Sequence, residues 1–137
     1  MKIVSSAFAG LVSIIALAQP AAAQDLTTAA KVECVPVSVT RCTEPGKCTT
    51  RQATDRDKSD VLVIDFTAKK ASMRRGTETR QGGDVVEDKV VDGVRRVVMT
   101  AGSRGDKINI TLTKEGKLAI DRGGGNTADA TCTAAAS

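Results

Sequence analysis

The sequence predicts an all-β fold: a single small antiparallel meander of about seven or eight strands that closes as a barrel or sandwich, stapled by disulfides. Three observations carry this. Short apolar runs rich in Val and Ile recur at close spacing, separated by Gly, Pro, Asp and Asn turns. Helical patterning is sparse. The 137 residues include four cysteines, an even number, in a chain that opens like an exported protein.

That opening comes first along the chain. Met1-Lys2 is a short basic start, Ile3–Ala18 is apolar, Gln19-Pro20 breaks the run, and Ala21-Ala22-Ala23 forms an A-x-A processing site. Residues 1–23 therefore read as a secretory signal peptide cut before Gln24, with Ala16-Leu17-Ala18 as a second A-x-A. The run is shorter than the roughly 20 residues of a spanning helix. No cysteine sits at the cut to take a lipid, and no later segment could span a bilayer. Cleavage removes one charge, Lys2, from a net +4. The expected location is periplasmic or extracellular.

Residues 24–31 read as a polar lead-in, 32–132 as the β domain, and 133–137 as a disordered tail. Val32–Thr40 is β-rich, with Pro36 marking an edge or bulge. Cys34, Cys42, Cys48 and Cys132 allow three pairings. The Pro45-Gly46 turn can bring Cys42 to Cys48, which favours Cys42–Cys48 with Cys34–Cys132. Thr49–Asp60 is polar and reads as loop. Val61–Phe66 is nearly continuous apolar, as in a strand buried on both faces. Ala71–Arg75 returns beside it, and Gly76–Gly83 reads as loop.

Residues 84–100 admit two readings. Val86, Val90, Val94 and Val97 have helical spacing, but Asp92-Gly93 is a hairpin signal between β-branched flanks, so two strands are preferred. Lys107–Thr113 alternates strictly, with Ile108, Ile110 and Leu112 on one face. Leu118 and Ile120 return after Lys114-Glu115-Gly116. Gly123–Asn126 is a loop, and Thr127–Cys132 is the last strand.

An early Cys-x7-Cys-x5-Cys (Cys34, Cys42, Cys48), the strand Val61–Phe66 and the closing Ala130-Thr131-Cys132 resemble small exported, cysteine-stapled β-domain proteins of Gram-negative bacteria, a group without known activity. The resemblance implies fold and location only.

Composition narrows the function. The chain has no His, so Ser-His-Asp and Cys-His arrangements cannot be built. Four oxidised cysteines leave no thiolate. Ser72 and Ser103 lie in ordinary contexts. Asp65, Asp84, Glu87 and Asp88 could offer paired carboxylates, but Phe66 is the sole ring beyond residue 23, a poor sugar platform. Asp55, Asp57 and Asp60 resemble the start of a calcium loop, yet Asp60 stands where Gly is needed and Phe66 where Glu is needed. No cofactor is expected. Lys69, Lys70, Arg74, Arg75, Arg80, Arg95 and Arg96 could form a cationic patch if they share a face. Nucleic acid is disfavoured by export and by the lack of stacking rings. Arg104-Gly105-Asp106 and Asn109-Ile110-Thr111 are short motifs of ordinary turn and strand chemistry.

The expectation is a non-enzymatic binding or accessory domain whose partner is a protein or an anionic envelope component. The alternatives are a small exported protease inhibitor and a metal-assisted hydrolase.

Overall fold

A computed structural model describes residues 24–136; the signal segment expected over 1–23 lies outside them. The elements are β1 (Lys31–Glu44), β2 (Lys47–Gln52), α1 (Asp55–Ser59), β3 (Val61–Asp65), β4 (Lys70–Arg75), β5 (Glu78–Val91), β6 (Val94–Ala101), β7 (Asp106–Leu112), β8 (Lys117–Asp121) and β9 (Thr127–Ala134). Each strand from β3 to β9 pairs antiparallel with its sequence neighbour, and β9 returns to pair with β1. The result is a closed eight-stranded meander (β1 and β3–β9) with β2 as one extra strand.

Alternation decides what faces the interior. Ile110 and Leu112 of β7, Leu118 of β8, Ala130 and Cys132 of β9, Val97 and Met99 of β6, and Ile64 of β3 are buried together. Their neighbours Thr111, Ala119, Thr131 and Arg96 are exposed, as the period of two requires. Val63 is buried on the outer face: its register partner is Glu33, and Arg74 of β4 reaches across β3 to bond Glu33 at 2.7 Å. The nearly continuous apolar run of β3 is thus covered on both sides.

The seam where first and last strands meet is covalent. Cys34 and Cys132 face each other in the β1–β9 register and are joined, as are Cys42 and Cys48 across the β1–β2 hairpin. Both bridges are those favoured by the Pro45-Gly46 turn. The first closes a span of 98 residues, for which the chain-entropy account gives about 4–5 kcal/mol.

Residues 84–100 form the hairpin rather than the helix. Asp92 and Gly93 both take positive φ, 53° and 76°, as a two-residue type I′ turn demands. Other boundaries differ from the sequence reading. Thr49–Asp60, expected as loop, contains most of β2 and all of α1. Gly76–Gly83, also expected as loop, is a turn followed by the first half of β5. β5 bends there: a Cβ on Gly83 would stand 2.1 Å from the Thr100 carbonyl oxygen of β6, so only glycine lets the strand pass that close. The expected tail is ordered as far as Ala135, whose N–H donates to Lys31 O at 2.9 Å, with β9 running to Ala134. In the expected polar lead-in, Leu26 and Ala29 are buried. Among the described residues no helix is long and apolar enough to cross a membrane.

Candidate functional site

The two ends of the barrel are built differently. At the base, residues 25–30 cross the opening. Leu26 and Ala29 enter the core, and Leu26 N–H donates to Lys114 O at 3.2 Å. Arg95 of β6 shares the inward face with Val97 and Met99 and is only 7% exposed. Its guanidinium donates to both oxygens of Asp88 and to Ala29 O, all at 2.7 Å, and lies 3.3 Å above the Phe66 ring centre. Each of the three nitrogens of this buried cation therefore donates a hydrogen bond, which helps the interior tolerate it.

At the other end the barrel opens into a cavity of about 700 Å³. Its wall is apolar: Cys34, Leu62, Met73, Met99, Ile108, Ile110, Ile120, Ala128 and Ala130 all line it. Leu62, Ile108 and Ile120 pack against the core yet stay partly exposed. By strand parity they point inward, so that exposure is toward the cavity. Polar residues form the rim: Arg41 of β1, Arg51 of β2, Asp57 of α1, Asp60, Arg122, Asn126 and Asp129.

Local sequence positions this rim. Thr54 caps α1: its hydroxyl accepts from Asp57 N–H at 3.3 Å while Asp57 accepts from Thr54 N–H at 2.8 Å, the reciprocal capping box. Asp57 also takes a bond from Arg51 at 2.5 Å, which with the Thr54 donors holds its carboxyl far below the ordinary range. Asp60 receives Arg75 through two bonds of 2.6 and 2.5 Å, and its carboxyl is likewise lowered, first by that pairing and further by the charges of Arg75, Arg80 and Arg56. Opposite, Asn126 Oδ1 accepts from Cys42 N–H at 3.0 Å and ties the β8–β9 loop to β1.

The predicted cationic patch is not assembled on one face. Lys70 pairs with Asp84, Arg74 with Glu33 and Arg75 with Asp60; Arg95 lies inside with Asp88. Lys69 sits in the turn at the base, and Arg96 projects from the outer face of β6. Arg80 is in register with the inward Met73, and its charge is felt at Asp60.

The predicted metal candidates are likewise separated in role. Asp57 and Asp60 are engaged by Arg51 and Arg75, Asp55 is exposed in the first turn of α1, and among the described residues no group of three His, Cys, Asp or Glu could hold a metal ion. Asp65 accepts from Ala68 N–H in a turn, Asp84 and Asp88 are ion-paired, and Glu87 is exposed. Asp57, Asp60, Asp65, Asp84 and Asp88 are thus all engaged by contacts within the fold.

The cavity itself was not anticipated from the sequence. Its inward residues carried the right alternation, but alternation marks the face and not how far the barrel is filled. No protein-family model, curated protein or solved structure matches the chain.

Proposed function

We propose that this chain is an exported, non-enzymatic binding protein that takes one small apolar ligand into the open end of its barrel. An eight-stranded barrel is just wide enough to be filled by its own side chains or to hold one small ligand. Here the base follows the first course and the mouth the second. A cavity of about 700 Å³ lies within the roughly 300–1,000 Å³ of small-molecule sites. The observation that carries the reading is the solvent-facing apolar wall of Leu62, Ile108 and Ile120 inside a closed, disulfide-braced barrel.

Such a wall gains its affinity by removing apolar surface from water, and the preformed barrel limits the ordering cost of binding. The test is titration with the neutral fluorophore N-phenyl-1-naphthylamine. Saturable enhancement near one probe per chain is expected, and it is expected to weaken in Ile120→Trp, whose indole narrows the cavity. Absence of saturable binding contradicts the reading. Export is supported by the residue 1–23 pattern and by the two disulfides, which persist in oxidising compartments. The protein recovered from a periplasm is expected to begin at Gln24 and to resist thiol alkylation; reactive thiols contradict export.

A second reading, a protein-docking role such as protease inhibition, draws on the Cys42–Cys48 hairpin, where every residue of β2 is exposed. Slowed substrate turnover in a panel of serine, cysteine and metalloproteases would support it, and an unaffected panel removes it.

A further inference from the structure

We propose that the ligand is an amphiphile with an anionic head, its apolar chain in the cavity and its head held at the mouth by Arg41 and Arg122; this rests on the binding reading above.

The register brings the two arginines together. Thr127 of β9 pairs with Thr40 of β1 on one side and with Asp121 of β8 on the other. One step further toward the mouth stand Arg41 on β1 and, just beyond the ends of β9 and β8, Asn126 and Arg122; Arg122 N–H donates to Asn126 O at 2.9 Å, and all three residues line the cavity. Strands lie about 4.8 Å apart, so the two arginine backbones are roughly 10 Å apart with Asn126 between them. Two long guanidinium side chains at that spacing can converge on one small anion.

Two other arginines at the mouth already have carboxylate partners. Arg51 is paired with Asp57 and Arg75 with Asp60. Asp129 accepts from the Ser38 hydroxyl at 3.1 Å. Among the described residues, no carboxylate lies within ion-pair distance of Arg41 or Arg122. Arg80 adds positive field, felt as the lowering of the Asp60 carboxyl. The mouth thus carries surplus positive charge above an apolar wall. Guanidinium is the group best shaped for a planar carboxylate and also serves phosphate. A fatty-acid carboxylate and a single-chain lipid phosphate share this chemistry.

The experiment displaces N-phenyl-1-naphthylamine from the full exported chain with dodecanoate, dodecyl phosphate, dodecanol and dodecyltrimethylammonium at low salt. We expect one or both anions to compete roughly tenfold better than the alcohol, and the cation worse than the alcohol. In Arg41→Gln/Arg122→Gln the anion preference is expected to collapse while dodecanol competes as before. In Arg41→Lys/Arg122→Lys, part of the preference is expected to return. Arg96→Gln, on the outer face, controls for net charge and is expected to change nothing. The ratio of dodecanoate to dodecyl phosphate identifies the head. Equal competition by alcohol and anions in the unaltered protein overturns the proposal while leaving the apolar site standing. So does a preference that survives the double Gln variant. If neither the probe nor any dodecyl compound binds, both this proposal and the binding reading fall.

Discussion

The base and the mouth of this barrel are made from the same strands and the same alternation, yet one is a packed core and the other a cavity. The difference comes from what is added at each end. Below, residues 25–30 supply Leu26 and Ala29 as a plug, and Arg95 fills the remaining space by bonding Asp88 and Ala29 O over the Phe66 ring. Above, no such segment crosses the opening among the described residues; α1, β2 and the β8–β9 loop stand around it, and the pairs Arg51–Asp57 and Arg75–Asp60 lie at its rim. The comparison teaches that an interior position in a small barrel is not the same as a filled one. Leu112 is fully buried, whereas Ile108 on the same face of the same strand is not.

The comparison can be broken or sharpened by substitution, beginning with what braces both ends. Replacing Cys34 and Cys132 together by Ala is expected to destabilise the fold by about 4 kcal/mol, because the loop they close is long. Removing Cys42 and Cys48 is expected to cost about 2 kcal/mol, since their loop is short. Urea unfolding of the two variants measures both, and equal losses would contradict the seam account. Next, Leu112→Ala at the base is expected to lose about 3 kcal/mol, and Ile108→Ala at the mouth less than about 1.5 kcal/mol, because a truncation beside solvent leaves no sealed cavity. Equal losses in thermal unfolding would mean that the mouth is packed like the base. Arg95→Met is expected to lose about 2 kcal/mol: it leaves Asp88 and Ala29 O without their partner, although Asp88 keeps some solvent. Fast amide exchange confined to residues 25–30 in that variant would show that the plug had been released.

The smallest effect is expected with pH. Asp57, Asp60 and Glu33 have lowered pKa values in the folded protein, each with an arginine hydrogen bond as the leading cause. A carboxyl lowered on folding contributes stability that is present above its unfolded pKa, about 4, and that is lost as pH falls toward the folded value. These groups are near the surface, so a shallow decline in melting temperature below about pH 4 is expected, with little change from pH 5 to 8. Asp60→Asn together with Asp57→Asn is expected to flatten that decline.

Much of the fold was legible because alternation and turn chemistry act locally. Ile108, Ile110 and Leu112 declared their face, Asp92-Gly93 its hairpin, and Pro45-Gly46 the bridge from Cys42 to Cys48. β2 was missed because it is exposed throughout and so carries no apolar pattern. α1 was missed although Thr54 and Asp57 spell a capping box, because five residues give no periodicity to notice. The first half of β5 hid behind Gly82-Gly83, which bend a strand here rather than end it. Within its basic cluster Arg95 reads as a surface cation, yet its parity with Val97 and Met99 places it inside. The cavity mouth was the least legible feature. Arg41 and Arg122 lie 81 positions apart, and only the closure of β8 and β9 onto β1 sets them beside one another.

The most direct test of the central claim is a methyl-resolved NMR titration of the exported chain with N-phenyl-1-naphthylamine. The account expects shifts in the methyl groups of Leu62, Met73, Ile108 and Ile120, with Leu26, Leu112 and Leu118 at the base undisturbed. Shifts confined to Val35 and Val37 on the outer face, or no shifts at saturating probe, would contradict it.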